Sequence, residues 1–183
     1  MSRIKIVTDQ TANPEQKALF EAIHGKLGMV PNFLRVIGNS SVALNAFLGL
    51  YGIAGAGSLD ALTRERIALA LAEQNACEYC VSAHTAIGAQ TGLSNEEMQA
   101  NRIGTSQDAK AAAAVRFARA LVEHTGGVST EEITEVRKAG YNDADLAEII
   151  MHVGLNLITN ILGKASRVDI DFPHVKLKVP AVA

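Results

Sequence analysis

The stretch LTRERIALALAEQNACEYCVSAHTAIG, residues 62–88, carries the strongest indication of the fold. Its first part, opened by Thr63, is rich in Ala, Leu and Glu, which are strong helix formers. We expect this helix to break near Asn75 and Ala76. The segment after the break forms a helix of its own and ends at Gly92, since glycine commonly terminates helices. The stretch therefore predicts two consecutive helices separated by a short break.

Helix signals recur along almost the whole chain and predict an all-α fold. Asn13, Pro14 and Gln16 form the pattern of an N-cap, a first helical position and a capping-box partner. Near the other end, Asn142 precedes a long apolar helix. No low-complexity linker or charge run interrupts the sequence, so we interpret residues 1–183 as a single compact helical domain.

Two fragments of the chain resemble each other, residues 91–104 and residues 126–140. Each contains a glycine stop, a serine N-cap (Ser94 or Ser129) with a glutamate three positions further on, and a short helix. The pattern is consistent with a duplicated helical unit. Any two capped helices would look equally similar, so the likeness also has an ordinary explanation.

The composition indicates an aliphatic interior. Hydrophobic residues make up 48% of the chain, aromatic residues only 4%, and tryptophan is absent. Residues 42–57 are apolar almost all round, which predicts a buried helix whose glycines permit close helix approach. The tail at residues 168–183 alternates and contains two prolines, so we expect it to be extended and packed against a neighbour.

Charge and hydropathy argue against several classes of partner. The net charge is −2, and the Lys and Arg residues are scattered singly, so a nucleic-acid interface is not expected. No apolar run approaches the ~20 residues that span a bilayer, and residues 1–10 contain no secretory hydrophobic segment. We therefore expect a cytoplasmic protein without a membrane partner. In that compartment a CxxC pair is more often catalytic or metal-binding than structural.

The only two cysteines of the chain, Cys77 and Cys80, are followed by His84. If the segment is helical, about 100° per residue places all three side chains on one face. The first turn of a helix favours a thiolate at Cys77, and a nearby imidazole lowers the pKa of a thiol. We interpret Cys80 as the attacking thiol and Cys77 as the resolving one, although thioredoxin-like CxxC sites use the reverse order. A disulfide here needs a local adjustment, because Cβ atoms three apart on a helix are too distant.

A carboxylate is expected to orient His84 or accept its proton. The sequence offers three candidates, Glu65, Glu73 and Glu78. Glu78 points away from the face that carries the thiols, and Glu73 lies next to the predicted break. Glu65 reaches the site only if the two helices pack together, so spacing alone leaves the choice open.

Other interpretations of the cysteine pair remain open at this point. The two residues are also compatible with small buried hydrophobes, with a non-enzymatic redox sensor or with a disulfide reductase. A structural zinc site needs four ligands, and the other histidines are scattered singly along the chain. A thioredoxin fold would need a strand before the CxxC.

The pattern Glu65-x11-Cys77-x2-Cys80-x3-His84 resembles the signature of the alkylhydroperoxidase D-like group within the carboxymuconolactone decarboxylase superfamily. The stretch LGMVPNFLRVIGNSSVALNAF, the block at residues 62–88 and the late segments LNLITN and VDIDFP are also similar to the peroxidase-related branch of that group. The resemblance runs from about residue 14 to about residue 173.

This resemblance implies an all-helical trimer or hexamer that reduces hydroperoxides with no bound cofactor or metal. It assigns the proton relay to Glu65, thiol activation to His84, attack on the peroxide to Cys80 and disulfide formation to Cys77. It also implies an external thiol reductant, which is a lipoylated protein in the best-known members. Tyr79 stands where the founding members have a histidine, and a phenol does not readily shuttle protons at neutral pH. The decarboxylases of the superfamily lack the cysteine pair, so lactone decarboxylation is not expected.

Overall fold

A computed structural model describes residues 2–178 and shows an all-helical protein, which confirms the predicted fold class. No residue in that range belongs to a strand. The helices of this part of the chain are, in order, α1 (Pro14–Leu27), α2 (Asn32–Ile37), α3 (Ser41–Ala54), α4 (Ala61–Gln74), α5 (Glu78–Thr91), α6 (Asn95–Arg102), α7 (Ala109–Glu123), α8 (Thr130–Lys138) and α9 (Asp143–Ser166).

The helix ends follow the capping signals of the sequence. At α1 the Asn13 side chain accepts a hydrogen bond from the Gln16 N–H, and the helix stops at Gly28 with a left-handed φ of 72°. Ser129 opens α8 with a complete capping box. Ser94 caps α6 through its side chain alone, because the glutamate of its predicted box is engaged elsewhere. Both short helices of the suggested duplication are present, while the duplication itself stays a prediction.

Helix α4 lies at the centre of the bundle and contacts α5, α6, α7 and α9. Ile67, Leu69 and Leu71 are completely buried there, and the alanines between them leave room for neighbouring helices. Burial of each such aliphatic side chain contributes roughly 1.5–3 kcal/mol. The contact between α4 and α5 brings the carboxylate of Glu65 on α4 to the imidazole of His84 on α5.

The prediction of a buried helix at residues 42–57 is wrong for a single chain. The helix α3 forms, but Leu44 is its one fully buried side chain. Val42, Tyr51 and Ile53 are 79%, 52% and 78% exposed. A Cβ built at either internal glycine of α3 would meet no atom within 4 Å, so these glycines do not serve packing within this chain.

The longest helix, α9, contacts α3, α4, α5 and α7 and carries polar side chains into the core. His152, Asn156 and Asn160 are all buried on it. Within residues 2–178 it is the one helix whose length and hydropathy would suffice to cross a membrane, a test that core helices of soluble proteins also pass. The helix α9 therefore corrects the expectation from the sequence that no apolar run approaches this length.

The described part of the tail, residues 168–178, has no regular secondary structure and packs back on the bundle. Asp171 accepts hydrogen bonds from the backbone N–H of Asn32 and from the Tyr79 hydroxyl, at 2.7 and 2.9 Å. Further on, a backbone N–H of the tail donates to Ser82 Oγ at 3.0 Å. The tail therefore ties α2 to α5. The rest of the predicted extended tail lies outside the described residues.

Candidate functional site

The break between α4 and α5 positions the two cysteines. Asn75 ends α4, and Ala76 turns the chain with a left-handed φ of 51°. Cys77 occupies the N-cap of α5 with φ −98° and ψ 92°, and Cys80 lies in the first helical turn. The sequence predicted Cys77 inside that turn, whereas in the structure it lies one position further out, at the N-cap. Because the backbone of Cys77 is not helical, the wide Cβ spacing of a regular helix does not apply to this pair.

Both thiols are buried and interact with each other. Cys77 is 1% exposed and Cys80 3%, and both are free cysteines. A hydrogen bond from the Cys80 thiol lowers the pKa of Cys77; burial opposes this, and the Cys80 backbone N–H and the charges of His84 and Lys164 add to it. The same thiol–thiol contact, together with burial, raises the pKa of Cys80 well above its ordinary value. When the pair loses a proton, these interactions favour the negative charge on Cys77 and the remaining proton on Cys80.

His84, one helical turn beyond Cys80, binds the carboxylate of Glu65. Its Nδ1 lies 2.8 Å from Glu65 Oε2. Because a carboxylate only accepts hydrogen bonds, the ring nitrogen that faces it carries a proton. Burial lowers the pKa of His84, but the charge and the hydrogen bond of Glu65, with the charge of Cys77, outweigh burial and raise that pKa. The imidazole thus favours the charged form, with Nε2–H as its second donor.

This contact decides between the three carboxylates that the sequence offered. Glu65 alone of the three meets the histidine. Glu73 accepts a hydrogen bond at 2.7 Å from a buried arginine of α6, and Glu78 lies at the surface, 3.3 Å from His174. No hydrogen bond joins His84 to a sulfur in the part of the chain that the structure describes, so the ring acts on the thiols through its charge.

Tyr79, the departure from the founding pattern, has a packing role. Its hydroxyl donates to Asp171 Oδ1 at 2.9 Å and accepts from the Phe33 N–H at 3.3 Å. Burial and the Asp171 carboxylate raise the pKa of Tyr79, so the phenol stays protonated. Its ring stacks on Phe33 and meets Phe172 edge-on, each at 5.8 Å between ring centroids. The side chain joins α2, α5 and the tail.

Helix α9 closes the site beside the sulfurs. A Cβ built at Gly163 would lie 2.8 Å from Cys77 Sγ and 3.7 Å from Cys80 Sγ. Since real Cβ atoms do not approach sulfur that closely, a glycine is required here to leave room for Cys77. The sequence analysis did not single out Gly163, because an isolated glycine in an apolar helix gives no indication of what it touches.

An apolar cavity of about 490 Å³ opens onto one thiol of the pair. Cys80 and His84 line this cavity, whereas Cys77 does not. Its walls include five aromatic rings, those of Phe33, Phe47, Tyr51, Tyr79 and Phe172. A larger cavity of about 870 Å³ includes neither cysteine in its lining. An apolar organic molecule therefore has access to Cys80 beside the histidine.

The histidines and cysteines of residues 2–178 do not form a zinc-binding group of ligands. Within residues 2–178 no group of three or more His, Cys, Asp or Glu side chains is placed to hold a metal ion. His152 lies 3.2 Å through Nε2 from the Ala54 carbonyl oxygen, and burial and the nearby Arg64 lower its pKa. It is a neutral histidine in the interior of the helical bundle.

Comparison with known proteins agrees with the all-helical fold. Residues 43–123 match the Carboxymuconolactone decarboxylase family. A solved structure of an uncharacterized peroxidase-related protein from Silicibacter sp. TM1040 is 28% identical, with a TM-score of 0.79, and the match covers 92% of this chain and 94% of that chain. No curated protein matches the sequence.

Two further solved structures share the fold at lower identity. The alkylhydroperoxidase AhpD core of an uncharacterized peroxidase-related protein from Ralstonia eutropha JMP134 is 19% identical, with a TM-score of 0.83 over 93% of this chain and 92% of that chain. A variant of the debrominase Bmp8 in complex with 2,3,4-tribromopyrrole is 21% identical, with a TM-score of 0.78 over 93% of this chain and 94% of that chain.

Proposed function

Because the chain belongs to the carboxymuconolactone decarboxylase superfamily, in its alkylhydroperoxidase D-like branch, we propose that it reduces organic hydroperoxides with its two thiols. The observation that carries the proposal is the position of Cys80, which is the thiol that lines the apolar cavity, beside His84. The role of Glu65 is to hold His84 in its charged form. The role of Cys77 is to exchange a proton with Cys80 and later to bond with it.

The first step begins with a proton transfer inside the pair. When a hydroperoxide occupies the cavity, Cys80 passes its proton to Cys77 across their hydrogen bond and attacks the distal peroxide oxygen. An S–O bond forms, the O–O bond breaks, and Cys80 becomes a sulfenic acid. The departing alkoxide takes the Nε2 proton of His84 and leaves as an alcohol.

The second step joins the two sulfurs. The Cys77 thiol attacks the sulfenic sulfur of Cys80, an S–S bond forms, and the hydroxyl group leaves with the thiol proton as water. One hydroperoxide and two thiols thus give one alcohol, one water and one disulfide. An external dithiol restores the pair by exchange. By family analogy we propose a dihydrolipoyl group as that reductant, acting in the cytoplasm.

The cavity favours bulky apolar substrates. Burial of roughly 100 Å² of apolar surface, which is about half of what a cumyl group offers, is worth roughly 2.5 kcal/mol. We therefore expect kcat/KM for cumene hydroperoxide to exceed that for hydrogen peroxide by up to about a hundredfold. Steady-state assays with dithiothreitol and dihydrolipoamide as reductants measure this ratio. Equal values for the two peroxides, or no turnover with either reductant, would contradict the proposal.

A cavity-filling variant tests the same point within the protein. Ala83 is buried and lines the cavity, so Ala83→Leu narrows the space for a bulky substrate. We expect kcat/KM for cumene hydroperoxide to fall about tenfold, with a much smaller change for hydrogen peroxide. Ala86→Leu is the matched control, because Ala86 lies on the same helix but outside the cavity lining.

A second candidate function is reduction of a halogenated aromatic compound, which the five rings of the cavity favour. One of the similar structures is that of a debrominase with 2,3,4-tribromopyrrole bound. Such a reaction would consume the same two thiols: a C–Br bond is replaced by C–H, bromide leaves, and a disulfide forms. Bromide release from tribromopyrrole by the pre-reduced protein, compared with a free dithiol, distinguishes this candidate from hydroperoxide reduction.

We also propose that the protein is a homo-oligomer that associates through α3 and α9. These two helices contact each other and expose large apolar side chains, namely Val42, Tyr51, Ile53, Ile150, Met151, Ile158 and Ile161. Several large apolar side chains exposed on two helices in contact are typical of an interaction site. A Cβ built at the internal glycines of both helices, other than Gly163, would meet no atom within 4 Å, which leaves room for a helix of a second copy.

Light scattering of the purified protein tests this association. We expect a mass that is a multiple of 19.4 kDa, as in the trimers or hexamers implied by the family. Ile53→Glu or Ile161→Glu should lower that mass, since each places a charge on a side chain exposed by 78% or 65%. A monomer for the unaltered chain across micromolar concentrations would contradict the proposal.

A further inference from the structure

The side chain of Asn160 has an unusual hydrogen-bonding state for a buried amide. It is 1% exposed, and its Oδ1 accepts a hydrogen bond from Asn75 Nδ2 at 2.8 Å. Its Nδ2 makes no hydrogen bond of ordinary geometry in the part of the chain that the structure describes. Buried donors are nearly always paired, so an exception calls for an explanation.

The position of Asn160 on α9 places its side chain on the helix face that lies beside the cysteines. Asn160 precedes Gly163 by three residues, which places both on the same face of the helix. Gly163 is the residue whose built Cβ would touch both sulfurs. Because Asn75 occupies the amide oxygen, the NH₂ group is held on the opposite side of the amide. Asn75 is itself held in the α4–α5 break, where its carbonyl accepts from Lys164 Nζ at 2.8 Å.

The side-chain amide of Asn160 lowers the pKa of Cys80. The hydrogen bond with Cys77 and burial raise the pKa of Cys80, and the side chains of Asn160 and Thr159 oppose that rise. Thr159 Oγ1 already donates to a backbone oxygen of α9 at 2.9 Å, whereas Asn160 Nδ2 has no other partner among residues 2–178. A hydrogen bond to a charged acceptor is stronger than one to a neutral thiol. A hydrogen bond from Asn160 Nδ2 to Cys80 is therefore strongest when Cys80 is a thiolate.

We propose that the side-chain amide of Asn160 is a catalytic hydrogen-bond donor to Cys80 Sγ, oriented by Asn75. It stabilises the negative charge that moves from Cys77 to Cys80 before the attack on the peroxide. While Cys80 keeps its proton, the donor has no ordinary hydrogen bond within residues 2–178; once Cys80 is a thiolate, the donor is satisfied. The inference adds a residue to the proposed thiol chemistry, but it concerns the ionisation of Cys80 and can be tested without any substrate.

The test uses Cys77→Ser as the parent, so that Cys80 is the single thiol. Ultraviolet absorbance of the thiolate is followed against pH, and iodoacetamide alkylation is measured in parallel. In Asn160→Ala we expect the thiolate fraction at neutral pH to fall about tenfold, with the alkylation profile displaced to higher pH. The alkylation rate at the alkaline plateau reports access to the sulfur, which separates a change of access from a change of acidity.

Two further variants keep the inference falsifiable. Asn75→Ala releases the Asn160 amide from its fixed orientation, so the alkylation profile should be displaced to higher pH by a smaller amount. This variant also supplies the test if Asn160→Ala does not fold. Asn156→Ala is the matched control, because Asn156 is a buried asparagine of the same helix whose Nδ2 already donates to the His152 carbonyl. Profiles of Asn160→Ala or, failing that, Asn75→Ala that coincide with the parent would overturn the inference. That result would leave hydroperoxide reduction by the unaltered protein untouched.

Discussion

Replacement of Cys80 by serine is expected to reduce the turnover of cumene hydroperoxide to the rate of the uncatalysed reaction. Cys80 is the thiol that lines the cavity, and a serine hydroxyl at this position is far too weak a nucleophile to attack a peroxide oxygen. Oxygen is slightly smaller than sulfur, so the buried site should still fold. Loss of hydroperoxide in the presence of dithiothreitol measures the effect, and a melting curve verifies that the variant is folded.

Cys77→Ser is the matched control, because it makes the same substitution on the other thiol of the pair. This variant keeps the attacking thiol, so in the absence of any external reductant we expect it to consume one equivalent of hydroperoxide and then stop with a sulfenic acid on Cys80. Dimedone traps that species, and the absence of a third cysteine makes the labelled position unambiguous. Full turnover by Cys80→Ser, or a sulfenic acid on Cys77 in that variant, would reverse the assigned roles.

Glu65→Gln is expected to lower kcat/KM for cumene hydroperoxide about a hundredfold on the alkaline side of neutrality. The amide preserves the shape of the side chain but removes the negative charge that raises the pKa of His84. With that pKa lowered, less imidazolium remains as the pH rises, so the alkaline limb of the pH–rate profile should move to lower pH. The charge on Cys77 also loses support, since His84 contributes to its stabilisation.

Glu78→Gln is the control for this variant. Glu78 is 42% exposed and lies 3.3 Å from His174 at the surface, away from the thiols. Its substitution should change neither the rate nor the pH profile. A pH profile of Glu65→Gln that coincides with that of the unaltered protein would show that the imidazolium is not the proton donor to the leaving alkoxide.

Much of the fold could be predicted because the signals for helix ends are local. The caps at Asn13, Ser129 and Asn142 and the stop at Gly28 each act within a few residues of the helix end that they determine. The all-α class follows from many such signals. The grouping of Cys80 with a histidine one turn away is local too, since helical periodicity alone brings these two side chains to one face. Cys77 joins them from the non-helical N-cap of the same helix.

The rest of the site depends on how helices pack, which a single sequence does not reveal. Glu65 and His84 lie on different helices, so spacing alone could not choose between the three carboxylates until α4 was placed against α5. Gly163 and Asn160 come from α9, far along the chain, and only their position beside the sulfurs distinguishes them from other residues of an apolar helix. The exposure of α3 could not be predicted for the same reason. An apolar helix sequence indicates that its surface is covered, but not whether the same chain or another molecule covers it.

The central claim is that two buried neighbouring thiols reduce an organic hydroperoxide and are converted to a disulfide. The most direct test adds one equivalent of cumene hydroperoxide to the pre-reduced protein in a stopped-flow instrument, followed by mass spectrometry of the quenched product. We predict the loss of two hydrogen atoms from the protein and the release of one cumyl alcohol per disulfide, at a rate far above that of free dithiothreitol. Both thiols remaining reduced, or oxidation no faster than that of the free dithiol, would contradict the claim.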